Sequence, residues 1–370
     1  MGVECGMEKK QLVVLLVSDQ TIPNIQFSKW IKHSFPNSKF DFLFISTKKM
    51  EDLGKSRIIR NIIHSFGFQE DKYYIVEVEE NNFSKIPKEL EKSEQSEKID
   101  YSEYGKIIVN ITGGTKLVSL SAFQFFIQKR AQIYYLPISG QLQQIYPVTV
   151  FYDNLPAITL EECMKANGYE YEANSSCLKD FEFNMSFYKN CISLHNPGLK
   201  IINNMATSEK NNDGSFNILS SENSKKPELD DAKEILRYCD FDPTHLSRNE
   251  IKYIMGGWLE EHVYQWVKQN YKLPDSAIAL NVRSKSIVQN VKNEFDIVFM
   301  DKQHLLHIVE CKAWSKDNNF ESMLEAIYKL QAEKSKLGLK SKCHLFTTAQ
   351  VGNNIQKRAE QYEIEIINVK

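Results

Sequence analysis

The sequence predicts an α/β protein of two domains, on three observations. The chain has 370 residues, more than one ordinary core takes up. From residue 11 to about 151, apolar runs alternate with helix-period segments, the pattern of a mostly parallel sheet. From residue 245 onward the elements read α-β-β-β-α-β-α-β, an order that groups three strands before a long helix. The expected division is 1–153, a connector over 154–244, and 245–370.

Gln11–Val17 is a continuous apolar run, as expected of a strand buried on both faces. It ends in the polar stretch Ser18-Asp19-Gln20-Thr21, and open α/β sheets place ligands in loops of that kind. A helix follows around 25–33, then strand 40–45, helix 52–65 and strand 73–78. Residues 79–103 read as helix, then loop. Strand Lys106–Asn110 runs into Ile111-Thr112-Gly113-Gly114-Thr115-Lys116 and an apolar-periodic helix to Arg130. Strand, Gly-Gly turn and helix make a phosphate cradle: glycines admit a ligand to the backbone, and the helix start offers amides and a positive dipole end. Thr112 and Thr115 add hydroxyls, Lys116 adds charge, and Asn110 is placed to hold the turn. The same residues also suit a plain helix N-cap after a tight turn. Neither GxxxxGK nor GxGxxG is present, which disfavours a Walker loop and NAD. Gln132–Pro137 and Gln143–Phe151 read as a hairpin turning at Ser139-Gly140, with Tyr134 and Tyr135 as core residues.

In the connector, Leu160–Ala166 and Pro227–Tyr238 read as helices, and the polar stretch 203–226 as a loop. The last domain opens on Ser247 with Glu250 three residues later, a capping box. Its helix carries Ile251, Ile254, Trp258, Leu259, Val263, Trp266 and Val267, and Gly256-Gly257 inside it predicts a kink or close backbone approach. Strand 277–282 follows, then a hairpin of Glu294–Met300 and Leu305–Lys312 around Asp301–His304. A helix over 320–337 ends at Gly338. Strand 342–347, helix 354–361 and strand 363–369 complete the chain.

The hairpin carries the chemistry. Alternate strand residues share a face, so Glu310 and Lys312 project together, and Asp296 can stand across from them. Carboxylate oxygens suit hard divalent cations, and a cation with a nearby ammonium suits attack of water on a phosphodiester. A surface salt bridge on a hairpin is the plainer alternative.

Composition narrows the classes. Hydrophobic residues are 42%, charged residues 25%, and the net charge is −2, which excludes a basic nucleic-acid coat protein. The part from His245 on carries 18 Lys and Arg against 15 Asp and Glu, a slight bias toward an anionic partner. None of the seven cysteines forms a CxxC pair, so a structural zinc site is not expected. No signal peptide or membrane-length apolar stretch is read, and the expected compartment is the cytoplasm.

Asn110-Ile-Thr-Gly-Gly-Thr-Lys116 after a buried strand resembles the second ligand motif of CARF (CRISPR-associated Rossmann fold) domains. Ser18-Asp19-Gln20-Thr21 stands where the first would be. The αβββαβ order with Asp296 and Glu310-Cys311-Lys312 resembles the PD-(D/E)xK restriction-endonuclease superfamily, although Phe295 stands in place of the motif's proline. The Glu260 region resembles that superfamily's helix-borne acid. Together, over residues 10–151 and 245–370, the chain is similar to the cyclic-oligoadenylate-activated ancillary nucleases of type III CRISPR systems. The resemblance implies a Rossmann-like CARF domain followed by a restriction-endonuclease-like domain. It also implies a homodimer sharing one cyclic oligoadenylate, cyclic tetra-adenylate foremost, and Mg²⁺- or Mn²⁺-dependent cleavage of RNA or DNA.

The roles it implies are these. Asp296 and Glu310 bind metal, with the Cys311 carbonyl completing the set while its thiol faces the core. Lys312 orients the attacking water or stabilises charge on the phosphate. Glu260 is the third acid in preference to Glu261. Gln331 and Lys334 face substrate phosphate. Ser18, Asp19, Gln20, Thr21, Asn110, Thr112, Gly113, Gly114, Thr115 and Lys116 line the ligand site. The competing expectation is a cyclic-nucleotide-binding regulator that holds nucleic acid without cutting it.

Overall fold

The computed structural model describes residues 9–68, 72–95, 99–137, 140–192, 196–205, 214–220, 226–286, 292–303, 305–313, 320–337 and 341–369. The expected turn residues Ser139 and His304, the helix stop at Gly338 and much of the polar stretch 203–226 lie outside them. The chain forms two compact units, Met1–Tyr171 with Lys285–Lys292, and Glu172–Ser284 with Asn293–Lys370.

The first unit is built on seven strands: β1 (Gln11–Leu16), β2 (Phe40–Ser46), β3 (Tyr73–Glu77), β4 (Lys106–Asn110), β5 (Gln132–Tyr135), β6 (Leu142–Tyr146) and β7 (Val150–Tyr152). Their order is β3-β2-β1-β4-β5-β6-β7. The first five are parallel, and β6 and β7 are antiparallel additions. Strand β1 is apolar from Leu12 to Leu16 because both its faces are covered. Val13 and Leu15 pack with Ile25, Phe27, Ile59 and Ile63 from helices Ile22–Ser34 and Lys55–Ser65. Leu12, Val14 and Leu16 pack with Ile86, Leu90, Ala122 and Phe126 from helices Lys85–Gln95 and Lys116–Gln128. Each such side chain contributes roughly 1.5–3 kcal/mol on full burial. The chain leaves β1 toward β2 on one side and returns to β4 on the other. The loops after β1 and β4 therefore meet at the point where strand order reverses, where open sheets hold ligands.

Three expectations need revision here. Gln143–Phe151 is two strands, because Pro147 has no N–H to give a ladder and interrupts it. The helix expected over 52–65 starts at Lys55, since Gly54 at φ 65° separates it from a short helix, Lys48–Asp52. Tyr134 is core, but Tyr135 is 40% exposed: successive strand residues face opposite ways.

The second unit carries a six-stranded sheet of order β13-β12-β11-β10-β9-β8. Its strands are β8 (Tyr169–Ala173), β9 (Ile278–Ser286), β10 (Lys292–Met300), β11 (Leu306–Lys312), β12 (Lys342–Thr347) and β13 (Ile364–Asn368). Strands β10 and β11 are antiparallel, and β11, β12 and β13 run parallel. The Ser247–Glu250 capping box forms as expected, and helix Arg248–Lys252 passes into a wide π-type turn, Tyr253–Gly257. Gly256 there has φ 151°, a backbone shape open to glycine, so the Gly-Gly pair breaks the helix before Trp258–Asn270 begins. Among the described residues, no helix is long and apolar enough to cross a membrane.

Candidate functional site

The antiparallel register pairs Ile297 with Val309. Continued one step, it sets Asp296 opposite Glu310. Past that pair the Cys311 N–H is taken by a side chain: it donates to Asp296 Oδ2 at 2.6 Å. Glu310, its side chain 3% exposed, meets Lys312 Nζ at 2.7 Å through Oε1 and Lys329 Nζ at 2.8 Å through Oε2. Burial, then the charges of Glu310 and Glu260, push the Asp296 carboxyl up to about 7, against the Cys311 amide and the Lys312 ammonium. Burial alone would lower Lys312, but the Glu310 charge and hydrogen bond and the Asp296 charge hold it above its ordinary value. The Cys311 thiol is buried in the apolar core.

The π-type turn decides how the two adjacent glutamates point. Both lie in the first turn of helix Trp258–Asn270. Glu260 faces Lys252 Nζ at 3.2 Å and acts electrostatically on Asp296. Glu261 turns away and is buried, accepting the N–H groups of Leu178 at 2.9 Å and Lys179 at 3.2 Å. Burial raises its pKa, and those two amides oppose the rise. Lys252 also donates to the Asn281 side chain.

Three carboxylates and three ammonium groups thus gather at one end of β10 and β11. Asp296, Glu310 and the Cys311 carbonyl are oxygen donors of the kind Mg²⁺ and Mn²⁺ take; burial raises Asp296 most, and a cation would relieve the further repulsion from Glu310 and Glu260. Among the described residues, no three His, Cys, Asp or Glu side chains already stand around one metal position. Glu310 still gives both its oxygens to lysines. Lys334 stands apart from the cluster, bound to Glu363 at 2.7 Å. Sequence reading passed over Lys329 on helix Phe320–Lys336, because periodicity does not say which helix residue overhangs the strand.

The loops after β1 and β4 meet as expected. Asn110 is fully buried; its Nδ2 donates to Asn24 Oδ1 at 2.9 Å, and Asn24 donates to the Leu16 carbonyl at 2.8 Å. Asn110 Oδ1 accepts the Thr112 N–H at 3.1 Å and its hydroxyl at 2.5 Å, and Thr112 Oγ1 accepts the Leu136 N–H at 2.7 Å. Thr115 caps its helix, accepting the Val118 N–H at 3.4 Å. Both threonine hydroxyls are therefore engaged in holding the loop. Gly113 is buried against the Leu16 carbonyl, Gly114 has φ 77°, and Lys116 is exposed at the first turn of Lys116–Gln128. In the other loop Ser18 donates to the Gln20 carbonyl at 3.0 Å, and exposed Asp19 meets Lys55 at 3.6 Å. Thr21 is buried and donates to the Ala166 carbonyl. Asn24 was not read from the sequence; a polar residue on the inner side of an apolar helix was its signal.

Two domain families cover most of the chain: residues 12–163 match the Card1 CARF domain and residues 247–370 the Card1-like endonuclease domain. The chain thus carries a CARF domain of the Card1 kind followed by a Card1-like endonuclease domain. Its fold is shared with two solved structures. Protein VC1899 from Vibrio cholerae is 19% identical, with a TM-score of 0.71 over 97% of this chain and 94% of that one. Can2 from Sulfobacillus thermosulfidooxidans, in complex with cyclic tetra-adenylate, is 18% identical, with a TM-score of 0.69 over 97% and 95%. No curated protein matches the chain. The Asp296–Glu310–Lys312 cluster falls inside the endonuclease domain, and the Asn110–Lys116 loop inside the CARF domain.

Proposed function

We propose that this CARF–endonuclease protein is a metal-dependent nuclease that cleaves RNA or DNA phosphodiesters and is switched on by a cyclic oligoadenylate in type III CRISPR defence. The observation that carries this is the buried Asp296–Glu310 pair with Lys312 at 2.7 Å, inside an endonuclease domain that follows a CARF domain. The cyclic tetra-adenylate bound by Can2, which shares the fold, favours that ring as activator.

In this reading residues 1–153 sense the ring, 154–244 connect, and 245–370 cut. Asp296, Glu310 and the Cys311 carbonyl hold Mg²⁺ or Mn²⁺, with Glu260 as third acid. A cation held there would supply a bound water of lowered pKa and positive charge against the phosphate. Lys312 orients the attacking water and stabilises the charge that builds on the phosphate oxygens. Glu260 adds the negative charge that a second cation or a proton would need nearby. In the sensing domain, the amides of Gly113 and Gly114 and the Lys116 ammonium receive phosphate at the helix start. Ser18, Asp19 and Gln20 face base or ribose, while Asn110, Thr112, Thr115 and Thr21 hold the two loops in shape. A two-fold homodimer suits a symmetric ring ligand.

The test is cleavage of RNA and single-stranded DNA with Mn²⁺, with and without cyclic tetra-adenylate, by wild type and Glu310→Ala. Cleavage that needs the ring, the metal and Glu310 is expected; cleavage independent of Glu310 defeats the proposal.

A further inference from the structure

We infer that Lys329 is the residue that yields to the metal: its ammonium holds Glu310 Oε2 until a divalent cation claims that oxygen, and it then turns to the nucleic-acid phosphate. The inference rests on the metal-dependent nuclease reading of the same site.

The Lys329 backbone is held in place by its helix. Met323, Ala326, Ile327 and Leu330 form a buried stripe on Phe320–Lys336 and seat the helix against β11 and β12. From there Lys329 Nζ reaches Glu310 Oε2 at 2.8 Å while Lys312 Nζ holds Oε1 at 2.7 Å. Each Glu310 oxygen keeps a second lone pair, but a cation bound there would stand beside an ammonium already in place. Binding a cation through Glu310 therefore favours the departure of one lysine. Lys312 stands two residues away on the same strand as Glu310. Lys329 comes from another element, and 44% of its side chain is exposed, so its displaced ammonium re-enters water at small cost.

Charge points the same way. Asp296, Glu310 and Glu260 balance Lys252, Lys312 and Lys329. A divalent cation makes that cluster positive and repels the nearest mobile ammonium, which an incoming substrate backbone can then take up. Lysine suits a group with two stations, being a compact charge on a flexible stem. Lys334, on the same helix, is tied to the Tyr362 carbonyl and the Glu363 carboxylate and is not placed for this.

The test uses full-length protein with Mn²⁺ alone in calorimetry, and steady-state cleavage in the presence of cyclic tetra-adenylate beside it, for wild type, Lys329→Met, Lys329→Gln and Lys329→Arg. Removing the competing charge should tighten Mn²⁺ binding by about 3- to 10-fold in both neutral variants. It should also raise KM for nucleic acid by about 3- to 10-fold and flatten its salt dependence, with kcat changed less. Arginine should restore KM. Unchanged or weaker Mn²⁺ binding by both neutral variants overturns the inference. A wild type that binds no Mn²⁺ and cuts nothing overturns instead the nuclease reading beneath it.

Discussion

The carbonyl of Leu16 occupies the space that a side chain on Gly113 would need: an added Cβ would lie 1.9 Å from that oxygen. The end of β1 and the loop after β4 are thus in backbone contact, and only glycine permits it. The obstructing atom belongs to a buried strand, so it cannot step aside. Gly113→Ala should destabilise the protein by about 1–3 kcal/mol as the loop is forced out. Calorimetric melting should show a lower Tm, and titration should show at least tenfold weaker cyclic tetra-adenylate binding. A variant with wild-type Tm and affinity would refute the tight contact.

Beneath that contact, Asn24 links the Leu16 carbonyl to Asn110 with both amide groups buried. Asn24→Leu keeps the volume but leaves an acceptor and a donor unpaired. The expected cost is about 2–4 kcal/mol in urea unfolding, because each orphaned buried group carries its own desolvation penalty. A loss below about 0.5 kcal/mol would mean that water replaces the amide.

Glu260 and Glu261 should separate cleanly. Glu260→Gln should cut cleavage by about 100-fold or more with an unchanged Tm, as befits a charge aimed at the reacting centre. Glu261→Ala removes the acceptor of two buried amides and should cost about 1–3 kcal/mol of stability while activity stays within a few-fold. The reverse pattern would exchange their roles.

The pH dependence of folding should follow His307 and His344. Their rings stack, with His307 Nδ1 and His344 Nε2 2.8 Å apart, so two imidazolium ions would set N–H against N–H. Burial and the neighbouring His307 push His344 down to about 3; burial also lowers His307, opposed by Asp301. Asp301 lies 3.1 Å from His307, Glu365 3.0 Å from His344, and Lys342 adds a repelling charge. The unfolded chain takes up protons near pH 6.5 that the folded pair refuses. The contribution of this pair is therefore full above that value and is lost as pH drops toward about 3, by about 1.4 kcal/mol per pH unit for each refused proton, while Asp296, raised to about 7, acts in the opposite sense. Urea unfolding between pH 7.5 and pH 4.5 should show the slope, and His344→Phe should reduce it. Equal slopes would assign the acid sensitivity elsewhere.

Much of this was readable in the amino-acid order. Strands β1, β2 and β4 are buried on both faces, so burial writes itself as predominantly apolar runs. The capping box at Ser247 and Glu250 is local chemistry that needs no partner. Asp296, Glu310 and Lys312 follow from strand period and a short turn.

Tertiary packing decided the rest, because it depends on residues distant in the chain. The threonines of the Gly-Gly loop were read as ligand donors; packing shows in addition that Thr112 is bonded to Asn110 and that Thr115 caps its helix. Glu260 was preferred to Glu261 from the sequence, but only packing gives the physical ground: the amides of Leu178 and Lys179, some 80 residues upstream, occupy Glu261. Lys329 reaches Glu310 only because its helix packs across β11, a contact that leaves no local pattern. Periodicity records which side of an element is buried; it carries no account of which distant residue arrives there.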